Sequence, residues 1–193
     1  MSSAPPPTAP RADILVRAAR TEDVPGMLQV SNSSQEWLIA QGLASAKEQP
    51  PITPDRMGWF TKKAEQDADW DTNTGRIFVA EIGNLVVGWC MATLAWPPHL
   101  PDTDLSQLYL SAIYVHQEYM KQGVARALIG FLKTEAGMQH VELIRAECKR
   151  IDKLVQYHEA WGFTPVEYTG FAPDYEEKMQ LFHMDLRPED ERD

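Results

Sequence analysis

Residues 115–129 read Val115-His116-Gln117-Glu118-Tyr119-Met120-Lys121-Gln122-Gly123-Val124-Ala125-Arg126-Ala127-Leu128-Ile129. An apolar, β-type run over 108–115 stops, a short polar loop follows, and small residues open an amphipathic helix. Such an arrangement builds an anion site. Gly123 and Ala125 leave backbone N–H groups uncovered, and the first turn of a helix carries unpaired donors with positive partial charge. A pyrophosphate fits there with little side-chain chemistry, and Lys121 and Arg126 add counter-charge. Gln122 and Val124 complete the loop.

Proton-carrying side chains recur downstream in Gln156-Tyr157-His158-Glu159-Ala160-Trp161-Gly162-Phe163. Leu154, Tyr157, His158 and Trp161 follow i, i+3, i+4, i+7 spacing and so share one helix face. Gly162 is placed to end that helix in a left-handed conformation.

Together these stretches resemble the GNAT superfamily of N-acetyltransferases. Its phosphate loop reads Arg/Gln-x-x-Gly-x-Gly/Ala after a strand ending in an apolar-x-Val pattern. This chain has Met120-Lys121-Gln122-Gly123-Val124-Ala125 after Ile113-Tyr114-Val115, with Met120 departing from the usual Arg or Gln. The family also carries a late helix ending in Tyr-x-x-x-Gly-Phe. The resemblance spans about 13–187, with specific motifs in 108–163. It implies acetyl-CoA as acyl donor, bound by Ile113, Tyr114, Val115 and residues 121–126. The backbone of Ile113 and Val115 would pair with the pantetheine arm, and nearby backbone donors would polarise the thioester carbonyl.

Acetyl transfer to an amine also needs a base for the ammonium and an acid for the departing thiolate. The family's acid is the Tyr that opens Tyr-x-x-x-Gly-Phe; here that position is His158, with Tyr157 one residue earlier. A neutral imidazole can offer one N–H; the alternative is a core histidine satisfied by a backbone carbonyl. Some relatives place a basic Glu or His where this chain has Tyr109 and Ser111, neither of which is a good base at neutral pH. An amine of pKa near 10 is only about one part in a thousand deprotonated at pH 7. The sequence does not identify the base. Trp37, Trp59 and Trp96 lie in segments that would border the acceptor, where aromatic faces can hold an ammonium; plain packing is the alternative for each.

The elements that must position these groups follow from hydrophobic periodicity. Residues 13–18 alternate as a first strand, and Thr21 with Pro25 marks a helix start. Helices are expected to about Ala40 and from about Asp55 to Ala68, broken by Pro50-Pro51-Ile52-Thr53-Pro54. Gly83-Asn84 separates two apolar runs as a two-residue hairpin turn. A strand over 141–148 and a last strand over 179–186 complete the set. With these elements, the resemblance implies an α/β fold: a mixed, mostly antiparallel sheet of six to seven strands, helices on both faces, and a splayed central strand pair. Residues 1–12 read as a Pro-rich flexible tail, 13–187 as one domain, and 188–193 as a charged tail.

Composition narrows the function. The 193 residues carry a net charge of −10 and 44% hydrophobic content. That size supports one core, and the acidic balance argues against nucleic-acid partners; an acidic surface can attract a cationic amine, with plain solubility as the alternative. No apolar run suits a membrane span, and the N-terminus lacks the features of a secretory signal, so a cytoplasmic protein is expected. The two cysteines, Cys90 and Cys148, suit buried thiols in a reducing compartment. No His/Cys spacing suggests a metal. The expected activity is acetyl transfer to a primary amine, of a small molecule before a protein. A catalytically silent acyl-CoA-binding module and a protein N-terminal or lysine acetyltransferase are the alternatives, and a homodimer stays open.

Overall fold

Strand alternation sorts the apolar residues into two cores. In β2 (Arg76–Ile82), Ile77 and Val79 face one side of the sheet while Phe78 and Ala80 face the other. This computed structural model describes residues 13–45, 52–66, 70, 75–94, 99–167 and 178–192. The remaining strands are β1 (Leu15–Ala18), β3 (Leu85–Thr93), β4 (Gln107–Val115), β5 (Leu143–Lys149), β6 (Thr164–Val166) and β7 (Met179–Asp185). They form one sheet in the order β1-β2-β3-β4-β5-β7-β6. Only β4 and β5 pair in parallel among the described residues; the other neighbours are antiparallel.

Helices α1 (Val24–Ala40) and α2 (Pro54–Gln66) cover the Ile77/Val79 face, and α3 (Val124–Met138) and α4 (Asp152–Ala160) cover the Phe78/Ala80 face. The expected mixed sheet with helices on both faces is the fold observed. Several boundaries differ for local reasons. Thr21 opens a short 3-10 turn instead of capping α1, and the Asp23 carboxylate accepts the Arg20 N–H at 2.7 Å. β5 begins at Leu143, because the Val141 N–H returns to the Ala136 carbonyl that ends α3. β6 was not expected from sequence; its three residues lie mostly exposed against β7 and lack an apolar pattern. At the C-terminus, a 3-10 turn spans Glu189–Glu191, and Arg192 Nε donates to the Arg187 carbonyl. The expected tail over 1–12 lies outside the described residues.

The hairpin and helix-stop signals appear as expected. Gly83 and Asn84 both have positive φ, 55° and 67°, the pattern of a type I′ turn. Gly162 has φ 98°, its N–H reaches Glu159, and the Phe163 N–H reaches His158, a Schellman closure of α4. Both cysteines are free and buried, and burial pushes each thiol up to about 12. Among the described residues, no helix is long and apolar enough to cross a membrane.

The central pair opens partway along. β4 and β5 pair from Gln107↔Leu143 to Leu110↔Ala146 and no further, although both strands continue. At that point β4 carries a bulge: Ala92 faces Leu110 and Met91 faces Ala112, so Ser111 is the extra residue. A bulge bends its strand and increases local twist. It also resets the alternation, since Leu110, Ile113 and Val115 pack toward α3 while Ala112 and Tyr114 pack toward α1. Beyond the bulge β4 stays with β3 and β5 stays with β7, so the sheet forks.

Helix α3 presses closely on the β3 side of that fork. A Cβ added to Gly88 would sit 2.6 Å from Val124 Cγ1 and 3.1 Å from the Tyr114 carbonyl oxygen. Gly88→Ala is therefore expected to cost about 1–3 kcal/mol of stability by overpacking, measured by denaturant unfolding. An unchanged midpoint would show that α3 has slack to move.

Candidate functional site

The fork opens into a cavity of about 1050 Å³. Its walls are residues 110–115 of β4, Ala146 and Glu147 of β5, the start of α3, one face of α4, and the C-terminal half of α1. Each wall has a reason to be there. Trp89 donates its indole N–H to the Met27 carbonyl and Ser31 Oγ, and stacks on Tyr114 at 4.9 Å, fixing α1 over β4. The Ser33 hydroxyl accepts the Gln117 N–H at 3.1 Å and ties α1 to the loop after β4.

At one end the loop turns into α3 through Lys121 and Gly123, both at positive φ (63° and 90°), with Gly123 as the N-cap. Gly123 makes no side-chain capping bond, and the first helical N–H groups have no acceptor within a helix. The donor set fits a diphosphate, with Lys121 and Arg126 at the cavity wall and the helix dipole adding positive potential. Arg126 also donates to the Ala160 carbonyl at 3.2 Å, holding the end of α4 against the start of α3.

Of the residues singled out in the sequence, Ile113, Tyr114, Val115, Lys121, Gly123, Val124, Ala125, Arg126, Trp37, Ser111, Tyr157 and His158 all line this one cavity. Gln122 does not; its side chain donates back to the Glu118 carbonyl. Trp59 is 57% exposed on α2, edge-on to Phe60 and beneath Lys63, away from the cavity. Trp96 lies outside the described residues. Tyr109 stands behind the cavity wall, its hydroxyl donating to Glu147 at 2.8 Å. Burial, then the charge and hydrogen bond of Glu147, raises its phenol well above the ordinary value, so it stays protonated.

His158 is 8% exposed, stacked on Phe182 at 4.7 Å and flanked by Trp161 and Phe163. Its Nδ1 lies 2.9 Å from the Leu154 carbonyl, which can only accept, so Nδ1 carries the proton. Burial lowers its pKa against the opposing pull of that hydrogen bond. A neutral ring with Nδ1–H engaged presents only a lone pair at Nε2. Tyr157 lines the cavity beside it, its ring 6.2 Å from Trp37, and burial raises its pKa.

Glu147 is the residue that sequence reasoning missed. It is the first β5 residue past the last β4 pair, and its side chain is 5% exposed. Oε2 accepts from Tyr109 and lies 2.9 Å from His99 Nε2, whereas Oε1 has no hydrogen-bond partner among the described residues. A charged residue in an apolar strand two positions from Arg145 was the available signal. Arg145, 1% exposed, donates to the Pro101 carbonyl and to Gln107 Oε1. Among the described residues, no group of three His, Cys, Asp or Glu side chains could hold a metal.

Two histidines, His158 buried and His183 half-buried, give the fold a defined acid response. His183, paired in register with Arg145, is pushed down to about 4 by burial and then by the Arg145 charge; His158 shifts the same way. The unfolded chain, with histidines near pKa 6.5, binds these protons first. Stability is therefore full above about pH 6.5 and falls as pH drops from there toward 4. Thermal melts of wild type and His183→Gln across pH 8 to 4.5 check this: the variant's melting temperature should fall less over that interval, and parallel curves would contradict it.

Sequence comparison places this geometry. Residues 43–163, more than half of the chain, match the model of the acetyltransferase (GNAT) family. A search of curated proteins returns no match. Among solved structures, the chain is similar to an N-acetyltransferase from Staphylococcus aureus Mu50, at 21% identity over 91% of this chain and 100% of that one, with a TM-score of 0.63. It is similar to the PaiA N-acetyltransferase from Thermoplasma acidophilum in complex with coenzyme A (13% identity, 89% and 98% covered, TM-score 0.69). The yncA protein from Salmonella typhimurium with its cofactor acetyl-CoA is also similar (16% identity, 91% and 95% covered, TM-score 0.57). At these identities the likeness is one of fold, and the family rests on the sequence match together with the forked sheet and its anion loop. The chain belongs to the GNAT family of acetyl-CoA-dependent N-acetyltransferases.

Proposed function

We propose that the protein acetylates the primary amine of a small molecule by direct attack, with Glu147 as base and Tyr157 as proton donor. Bound acetyl-CoA supplies an acetyl thioester, its diphosphate held by the 121–126 loop and its pantetheine arm along Ile113 and Val115. The observation that carries the base assignment is the place of Glu147, a carboxylate on the cavity wall at the first β5 residue past the last β4 pair. The carboxylate there is the group that an incoming ammonium of the acceptor meets. Glu147 accepts the proton, and the free amine is then a nucleophile. Tyr157, with its hydroxyl proton retained at neutral pH, protonates the departing thiolate. His158, its N–H committed to Leu154, holds the shape of α4 by stacking on Phe182.

The walls favour a small acceptor. Trp37 and Tyr157 approach across the cavity from α1 and α4, and Lys153 of α4 reaches to α1, over the Trp37 ring at 5.5 Å and donating to Gln41 Oε1 at 3.0 Å. That is an aromatic-walled pocket, where a protein terminus or lysine would need an open groove. The free, buried thiols fit a reducing cytoplasm.

A panel of small amines and N-terminal peptides, assayed for CoA release, tests the acceptor class. Small amines should turn over faster, and a preference for peptides would replace this reading. With the best acceptor, Glu147→Gln should lower kcat on the order of 10²–10⁴-fold and Tyr157→Phe on the order of 10²-fold. His158→Phe should cost less than Tyr157→Phe; the reverse order would return the acid role to His158.

A further inference from the structure

Glu147 receives its donors on one oxygen. Tyr109 Oη at 2.8 Å and His99 Nε2 at 2.9 Å both meet Oε2, and none among the described residues meets Oε1. An ionised carboxylate only accepts, so both neighbours must be donating, and Nε2 of His99 carries a proton. The two partners differ in kind. Tyr109 comes from β4, inside the sheet, whereas His99 comes from the loop between β3 and β4 and is 45% exposed.

That loop is pinned by the strand that carries the carboxylate. Arg145, two residues before Glu147 on β5, donates to the Pro101 carbonyl at 2.8 Å and to Gln107 Oε1 at 3.0 Å. Successive side chains alternate across a strand, so Arg145 and Glu147 share a face. A fully buried guanidinium is costly unless well bonded. Here its bonds fix the segment that brings His99 to Glu147.

We propose that His99 is a positioning residue for acetyl transfer: with Tyr109 it bonds Oε2 of Glu147 and fixes the carboxylate plane at the fork. This rests on the assignment of Glu147 as base. It adds a residue outside the cavity wall, acting through Glu147 and touching neither acyl donor nor acceptor.

The test compares His99→Ala, His99→Gln and Glu147→Gln, alone and combined, with a fixed amine acceptor and acetyl-CoA. His99→Ala should lower kcat on the order of 10-fold, the size of one lost hydrogen bond to a charged group. The KM for acetyl-CoA and the melting temperature should hold, because His99 is not part of the cavity lining that holds the 121–126 loop and is half exposed. His99→Gln, which keeps an N–H donor, should retain most of the activity, and imidazole added to His99→Ala should restore part of it. In the Glu147→Gln background His99→Ala should cost nothing further, since coupled residues are non-additive. Wild-type turnover by His99→Ala, or an equal loss with Gln and no imidazole rescue, would overturn the proposal while leaving Glu147 as base. A fully active Glu147→Gln would overturn both.

Discussion

The extra residue at Ser111 decides where the sheet stops being one sheet. Up to Leu110, β4 is bonded on both edges; past the bulge it keeps only β3, and β5 keeps only β7. One edge of β4 and one edge of β5 are thereby left to face a cavity instead of each other. Backbone groups left without a strand partner need another, and an extended, amide-containing arm is the chemistry that meets this need. The bulge also turns Ile113 and Val115 toward the α3 side while Tyr114 stacks on Trp89 beneath α1. The two faces of the fork therefore carry different chemistry. An anion loop stands on one side, and a polar group of Tyr109, Arg145 and Glu147 stands on the other.

Packing is close where that division must be held. Gly88 lets Val124 approach the sheet, which sets the first turn of α3 against the end of β4. His158, Trp161, Phe163 and Phe182 form an aromatic cluster that closes α4 over the other half of the sheet. Against these apolar contacts stand polar groups a pure core would omit: buried Arg145, the buried side chain of Glu147 and half-buried His183. Local inconsistency of this kind collects at functional sites, where stability is given up for chemistry. A further ion-pair group, Arg17 with Asp23 and Glu81, holds the opposite edge of the sheet. Burial alone would raise the Asp23 pKa, but bonds from Arg17 and the Arg20 N–H outweigh it and keep the carboxyl below its usual range.

Much of this was legible in the chain because it rests on local rules. Gly83-Asn84 requires two positive φ values, Gly162 a left-handed stop, and Gly123 an uncovered helix start; each is encoded within a few residues. The anion loop falls in that class, and its residues line one cavity with the exception of Gln122. What could not be read depends on register between distant strands. The bulge at Ser111 has no residue signature, since it follows from how β3 aligns with β4. Glu147 gains its meaning from sitting one residue past the last β4 pair, a fact of pairing rather than of sequence. The same holds for His158: its motif position pointed to proton donation, and only the distance to the Leu154 carbonyl shows where its N–H goes. Trp59 looked like Trp37 in sequence, but α2 turns it outward.

In the proposed complex, backbone donors at the start of α3, beside the fork, hold the diphosphate of acetyl-CoA. The most direct measurement is calorimetric titration of acetyl-CoA into the wild-type chain and Gly123→Asp, with the ligand-free melting temperature of each as the check on folding. A carboxylate at that position meets the diphosphate at the helix start. The account predicts binding by wild type and a loss on the order of 100-fold or more in a folded Gly123→Asp variant. Equal affinity in the two proteins would contradict it.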